Sequence, residues 1–163
     1  MTDAAPAVFV ALETSALGAA IRQSTWIYMA ANLGHIVSLT CFAGAVAVMD
    51  LRMAGVFAAT APGRVLHGAR IAAVLAFLGL VLSGAVMFIA EASHVIVNPV
   101  FQIKLGVIAL ALVNVALFER YVAPQVRDLP PLAPLPGRAR GAGIASITLW
   151  LAVAICGRAI AYF

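Results

Sequence analysis

His35 is the side chain of this sequence best placed to do chemistry. It lies nine residues into an apolar run that begins near Trp26, and fifteen residues before Asp50. At ~1.5 Å per helical residue, that puts it roughly 22 Å from the charged end of the run. An imidazole can ligate a metal, donate or accept a hydrogen bond, or carry a proton near neutral pH. Tyr28, Asn32, His35 and Ser38 recur at helical spacing and form one polar stripe. An ionisable group at such depth in a membrane costs roughly 2.5–3.5 kcal/mol on insertion scales, so the stripe is expected to face the interior of a bundle.

The same arithmetic asks what else reaches this level. Lys104 precedes Arg120 by sixteen residues and Arg158 follows Arg140 by eighteen, which sets them roughly 24 and 27 Å from the same boundary. Glu91 lies higher, with His94 beyond it. His35, Lys104 and Arg158 are therefore expected to converge in one half of the bundle, together with Tyr28 and Asn32 and below Glu91 and Asn98. Trp26, Trp150 and Tyr162 either line this region or form an aromatic belt.

One imidazole, two cations and one carboxylate suit three ligands. A haem b would take His35 as axial ligand, with Lys104 and Arg158 on its propionates; only in that case is His35 a metal ligand. A quinone would hydrogen-bond to His35 and Lys104. An anionic solute or lipid head group would pair with the two cations. Two-histidine haem ligation is disfavoured, because His67 and His94 each lie at least about 10 Å from the level of His35. Met87 is nearer, but reads first as a core-filling residue. A purely structural account stands beside these. In it His35 hydrogen-bonds a neighbouring helix, Lys104 and Arg158 snorkel outward, and Glu91 pairs with Arg158.

The elements that must position these residues follow from composition. Of 163 residues, 64% are hydrophobic and 10% charged, and mean hydropathy is +1.09. Soluble domains run at roughly 45–50% apolar and about 25% charged, so a water-soluble fold and a disordered chain are both excluded. Four apolar runs, at about 26–49, 67–90, 99–118 and 141–162, each meet the roughly 20 residues needed to cross a hydrocarbon core. Continuous runs of this length are helices, not barrel strands. The expected fold is all-α, a single domain over residues 1–163 built as a four-helix transmembrane bundle. Residues 1–24 form an amphipathic interfacial segment in which Thr14 or Ser15 caps a helix running to Arg22. Asp3 and Glu13 are its early charges, and the absence of a basic leader argues against a signal peptide.

Seven of the ten basic residues fall in two connections, Arg52, Arg64 and Arg70 in one and Arg120, Arg127, Arg138 and Arg140 in the other. The positive-inside rule puts both in the cytoplasm and both termini outside. Membrane orientation thus accounts for the net charge of +4 better than nucleic acid does. Residues 119–140 read as a Pro- and Arg-rich cytoplasmic loop, extended over 124–136, and residues 53–63 as a short interfacial stretch. Asp50 is expected to clamp to Arg70 or Arg120, and Asn114 to pack helices. Cys41 and Cys156 lie in apolar segments outside any ligand cluster. No GxSxG, HExxH, paired carboxylates at depth or phosphate loop occurs, so the chain does not read as an enzyme on its own.

Several pieces resemble an uncharacterised family of small bacterial four-helix inner-membrane proteins. They are Trp26-Ile27-Tyr28 through Gly34-His35, Met49-Asp50-Leu51-Arg52-Met53-Ala54-Gly55, Ser83-Gly84, Ala90-Glu91, Asn98-Pro99-Val100-Phe101-Gln102-Ile103-Lys104 and Gly157-Arg158. A similarity to copper-resistance membrane proteins is looser and brings no ligand cluster. The resemblance implies architecture and a bacterial inner membrane, and gives no activity. The expected role is a small membrane subunit, homo-oligomeric or part of a larger complex in the bilayer, with a redox ligand (haem b or quinone) at His35, Lys104 and Arg158. The alternatives are a cofactor-free anchor or scaffold, and a binder or transporter of an anionic solute or lipid.

Overall fold

A computed structural model describes residues 5–163; Asp3 and the start of the N-terminal segment lie outside the described residues. Every regular element is helical: α1 (Ala7–Thr14), α2 (Ala16–Gln23), α3 (Thr25–Ala54), α4 (Pro62–Ala90), α5 (Ala92–Val97), α6 (Pro99–Leu117), a π-helical turn (Phe118–Val122), α7 (Ala123–Val126), α8 (Gly137–Ala159) and a final 3₁₀ turn (Ile160–Tyr162). Four of these are long and apolar enough to cross a membrane: Thr25–Ala54, Pro62–Ala90, Pro99–Val126 and Gly137–Tyr162. At ~1.5 Å per residue, helices of 30 and 29 residues outrun a ~30 Å hydrocarbon core, so their ends project past it.

Local chemistry sets the helix ends. Ser15 accepts from the Gly18 amide at 3.1 Å and starts α2, while the Thr14 hydroxyl donates back to Val10. Ser24 accepts from the Ile27 amide and starts α3. α3 stops at Gly55, whose φ of 107° is the left-handed conformation glycine adopts without a Cβ clash. The Gly55 and Val56 amides donate to Arg52 and Leu51, the Schellman pattern. Pro62 and Pro99 occupy first-turn positions in α4 and α6, where a missing N–H costs nothing.

The third span does not end at Phe118. It runs on to Val126 with Pro124 inside helical structure, contrary to the extended reading of residues 124–136. The π-helical turn explains this. The Ala123 amide donates to the Phe118 carbonyl, five residues back, and this wider winding just ahead of Pro124 relieves the demand that proline makes on the preceding turn. The rest of the Pro-rich segment is packed rather than free. Leu132 donates its amide to the Ala58 carbonyl at 2.8 Å. Leu135 is buried beside Met53, Leu66, Val122, Val126 and Ala139, with Leu129 against them. This cluster closes the arginine-rich end of the bundle.

α3 packs along α4 and α8, and α8 packs along α6, so the four spans follow the spatial order α4–α3–α8–α6. The glycines permit close approaches. A Cβ on Gly79 of α4 would collide with the Ser38 hydroxyl of α3, and one on Gly143 of α8 would stand 2.9 Å from the Asp50 carbonyl. Midway along, Phe42, Phe77 and Trp150 meet at centroid distances of 4.6–6.1 Å over Val46, Ala73 and Ala76. α4 and α6 meet near their terminal ends through the stacked rings of Phe88 and Phe101, 5.6 Å apart. At the arginine-rich end, Arg70 of α4 reaches Glu119 beyond α6. Between these two joints the ring of helices is open.

Candidate functional site

His35 projects from α3 toward α4, half-buried, with its Nδ1 2.9 Å from the Ser83 hydroxyl oxygen. The Ser83 hydroxyl has a single proton, which it donates back to the Gly79 carbonyl at 2.6 Å. With its proton on Gly79, the Ser83 oxygen accepts from Nδ1–H in the tautomer that carries its hydrogen there. For a neutral ring this leaves Nε2 unprotonated, with its lone pair free. A carbonyl one turn back along the facing helix thus favours this tautomer. The backbone space comes from Gly84, where a Cβ would lie 3.4 Å from the ring.

Lys104 of α6 is half-buried, with its ammonium over Gly157 of α8. Among the described residues, Lys104 belongs to no ion pair. The structure sets His35 against Ser83 and Gly84 of α4 and Lys104 against Gly157 of α8; Ser83 is a neighbour that the depth arithmetic did not single out. The signal was available, since Ser83 lies eight residues before Glu91 and an antiparallel α4 sets it level with His35.

The other candidates separate. Tyr28 is half-buried; Glu91 is exposed at the junction of α4 and α5. Asn32 shares the stripe by spacing but is exposed, because the interface with α4 is narrower than the stripe. Arg158 turns along its own helix, donating to the Tyr162 hydroxyl at 2.7 Å with its guanidinium 5.0 Å from the ring centre. It does not pair with Glu91, and the one ion pair among the described residues is Arg70–Glu119. His67 and His94 are exposed on α4 and α5. No group of three or more His, Cys, Asp and Glu side chains among the described residues could hold a metal ion.

The terminal end of the bundle is capped by α1 and α2. Arg22 donates to the Glu13 carbonyl at 2.6 Å and the Ala90 carbonyl at 3.2 Å. The Glu13 carboxylate accepts from the Ser93 hydroxyl and amide at 2.5 and 2.8 Å. Those two bonds, the hydroxyl's first, hold the Glu13 carboxyl below the usual carboxylate range. Phe9 closes edge-on over Phe88. Asn98 caps α6 through the Val100 and Phe101 amides and reaches the Ile160 carbonyl.

With this geometry in hand, the comparison with known families is decisive for membership: residues 8–163 match a family of unknown function, DUF6644. The chain belongs to that family. No curated protein matches it, and no solved structure does.

Proposed function

We propose that this DUF6644 protein binds a membrane-soluble redox ligand, a quinone, at His35 and Lys104. One observation carries the reading: Ser83, bonded to His35 Nδ1 while within donating distance of the Gly79 carbonyl, favours the ring tautomer in which Nε2 is an acceptor, and the Lys104 ammonium has no ion-pair partner among the described residues. A quinone carbonyl accepts from Lys104, and the hydroxyl of the reduced form donates to Nε2, so the pair suits both redox states. A free Nε2 also suits one axial position of a haem. A second histidine for that iron is not at hand, since His67 and His94 are exposed at other levels. In the bacterial inner membrane that the resemblance implies, positive-inside asymmetry supports both termini periplasmic, which sets this site in the outer half of the bilayer. The many exposed apolar side chains of the four spans suit lipid and partner helices alike, and we place the chain as a homo-oligomer or a subunit of a membrane complex.

The test is solvent extraction of protein purified in mild detergent from quinone-producing cells, with absorption spectra before and after reduction. The expected result is co-purified quinone at a fixed ratio to protein, lost in His35→Ala and reduced in Lys104→Gln while far-ultraviolet dichroism stays unchanged. A Soret band with sharp reduced bands would replace quinone by haem. Colourless, quinone-free protein that also takes up none on reconstitution, with His35→Ala merely less stable, would refute ligand binding and leave the scaffold reading.

A further inference from the structure

A cavity of about 220 Å³ lies on the arginine-rich side of the Phe42–Phe77–Trp150 cluster, between α3, α4, α6 and α8. It is distinct from the His35 level. Its walls are apolar apart from a few groups, and its side faces the opening between α4 and α6, where Val74, Leu78, Leu112 and Val115 are exposed. The Met53–Val126–Ala139 cluster packs beneath it, and the gap between α4 and α6 opens it to the lipid side.

Asp50 stands in the wall of this cavity, 8% exposed, with a buried Oδ2 that has no hydrogen-bond partner. The counterions expected for it, Arg70 and Arg120, do not serve: Arg120 is exposed, with its guanidinium 5.5 Å from the Tyr121 ring centre. Arg52, the nearest in sequence, is buried but gives its Nε and Nη2 to the Thr60 carbonyl at 3.1 and 2.9 Å. Arg70, across the cavity, is neutralised by Glu119 at 2.5 Å. With that pair cancelling at the mouth, the cavity carries one uncompensated acid. Such a group is costly to bury without a donor. An occupant that satisfies it needs an N–H donor, a positive charge and an apolar body able to lie against aromatic rings, which also attract cations. A carboxylate or phosphate would face Asp50 with like charge.

We propose that this cavity is a lateral binding site for a single-chain amphipathic amine, which enters from the bilayer between α4 and α6 and places its ammonium on Asp50 Oδ2. The chain lies between α4 and α6 and reaches Trp150. Asp50 lies one turn from the end of α3, at the depth where an amphiphile carries its head group, while the exposed mouth residues lie deeper.

The test uses protein in phosphatidylcholine nanodiscs and radiolabelled dodecylamine, with empty nanodiscs subtracted. Saturable binding near one per chain is expected, weakened about tenfold or more in Asp50→Asn, which removes the charge-assisted bond but keeps the shape. Dodecanoate should not compete. In a Trp26→Phe background, Trp150 emission should shift on binding in the native cavity and not in Asp50→Asn. Leu112→Phe, at the exposed mouth, keeps the test valid if Asp50→Asn fails to fold, because it should slow uptake without touching the carboxylate. His35→Ala should leave amine binding intact, so failure of the quinone reading and failure of this one are separable. Equal amine binding by wild type and Asp50→Asn, or effective competition by dodecanoate, would overturn the proposal. Complete displacement by phosphatidylethanolamine in the disc would overturn the free-amine assignment in favour of a lipid head group.

Discussion

Gly143 and Gly141 lie on the same helix, two residues apart, and their alanine substitutions should move stability in opposite directions. A Cβ on Gly143 would stand 2.9 Å from the Asp50 carbonyl oxygen and 3.0 Å from Met53 Cβ, both on α3. The first is backbone and cannot swing away, so α3 and α8 must separate. A Cβ on Gly141 meets nothing within 4 Å. Both changes gain the same intrinsic preference of alanine over glycine in a helix, about 0.8–1.0 kcal/mol. Forcing a group into a packed seam costs about 1–3 kcal/mol. Gly141→Ala should therefore stabilise by up to about 1 kcal/mol. Gly143→Ala should range from near neutral to about 2 kcal/mol destabilising. The difference between the variants, about 1–3 kcal/mol, cancels propensity and detergent effects and isolates the α3–α8 contact. Reversible unfolding followed by circular dichroism in one detergent measures it. Indistinguishable midpoints for the two variants would mean that α8 does not press on Asp50, and the wall of the lateral cavity would fall with that contact.

Two further outcomes are expected. The Glu13 carboxyl is held below its ordinary value of 4.5 in the folded protein by Ser93; stabilisation from it is complete above that value and is lost as pH falls through the lowered folded one. Glu13→Gln should thus lower the thermal midpoint at neutral pH and flatten its acid fall, and a variant whose midpoint still falls as steeply as wild type's would refute the anchoring role. Arg70 and Glu119 side chains are 37% and 41% exposed, so a double-mutant cycle should give a coupling of only about 0.2–1 kcal/mol; a coupling several times larger would mean that the pair is far drier than its exposure indicates.

The spans were legible because a bilayer imposes a length and a polarity on any helix that crosses it. The Ser15 cap was legible because a hydroxyl ahead of an apolar run is a local signal. The pairing of His35 with Ser83 lay within reach of helical rise alone, since an antiparallel α4 sets the two level. Rotation about the helix axis was not legible to the same degree. Asn32 belongs to the polar stripe by spacing yet is exposed, since the width of the contact with α4 is a tertiary quantity. Arg158 sits at the right depth, but a long side chain next to Tyr162 finds its partner on its own helix.

The arginine-rich end was misjudged for a related reason. Prolines in a sequence signal a break in helical geometry, and Pro124 reads as the start of a loop. A π-helical turn absorbs the break instead, so the span continues and brings Val122 and Val126 under Met53. That continuation also places Glu119 beside Arg70, which takes from Asp50 the counterion that sequence proximity of charges would assign to it. One backbone irregularity thus shapes both the packing at the arginine-rich end and the unpaired carboxylate above it. Straightening the π-turn would rotate Glu119 away from Arg70, and the charge of the lateral cavity would change with it.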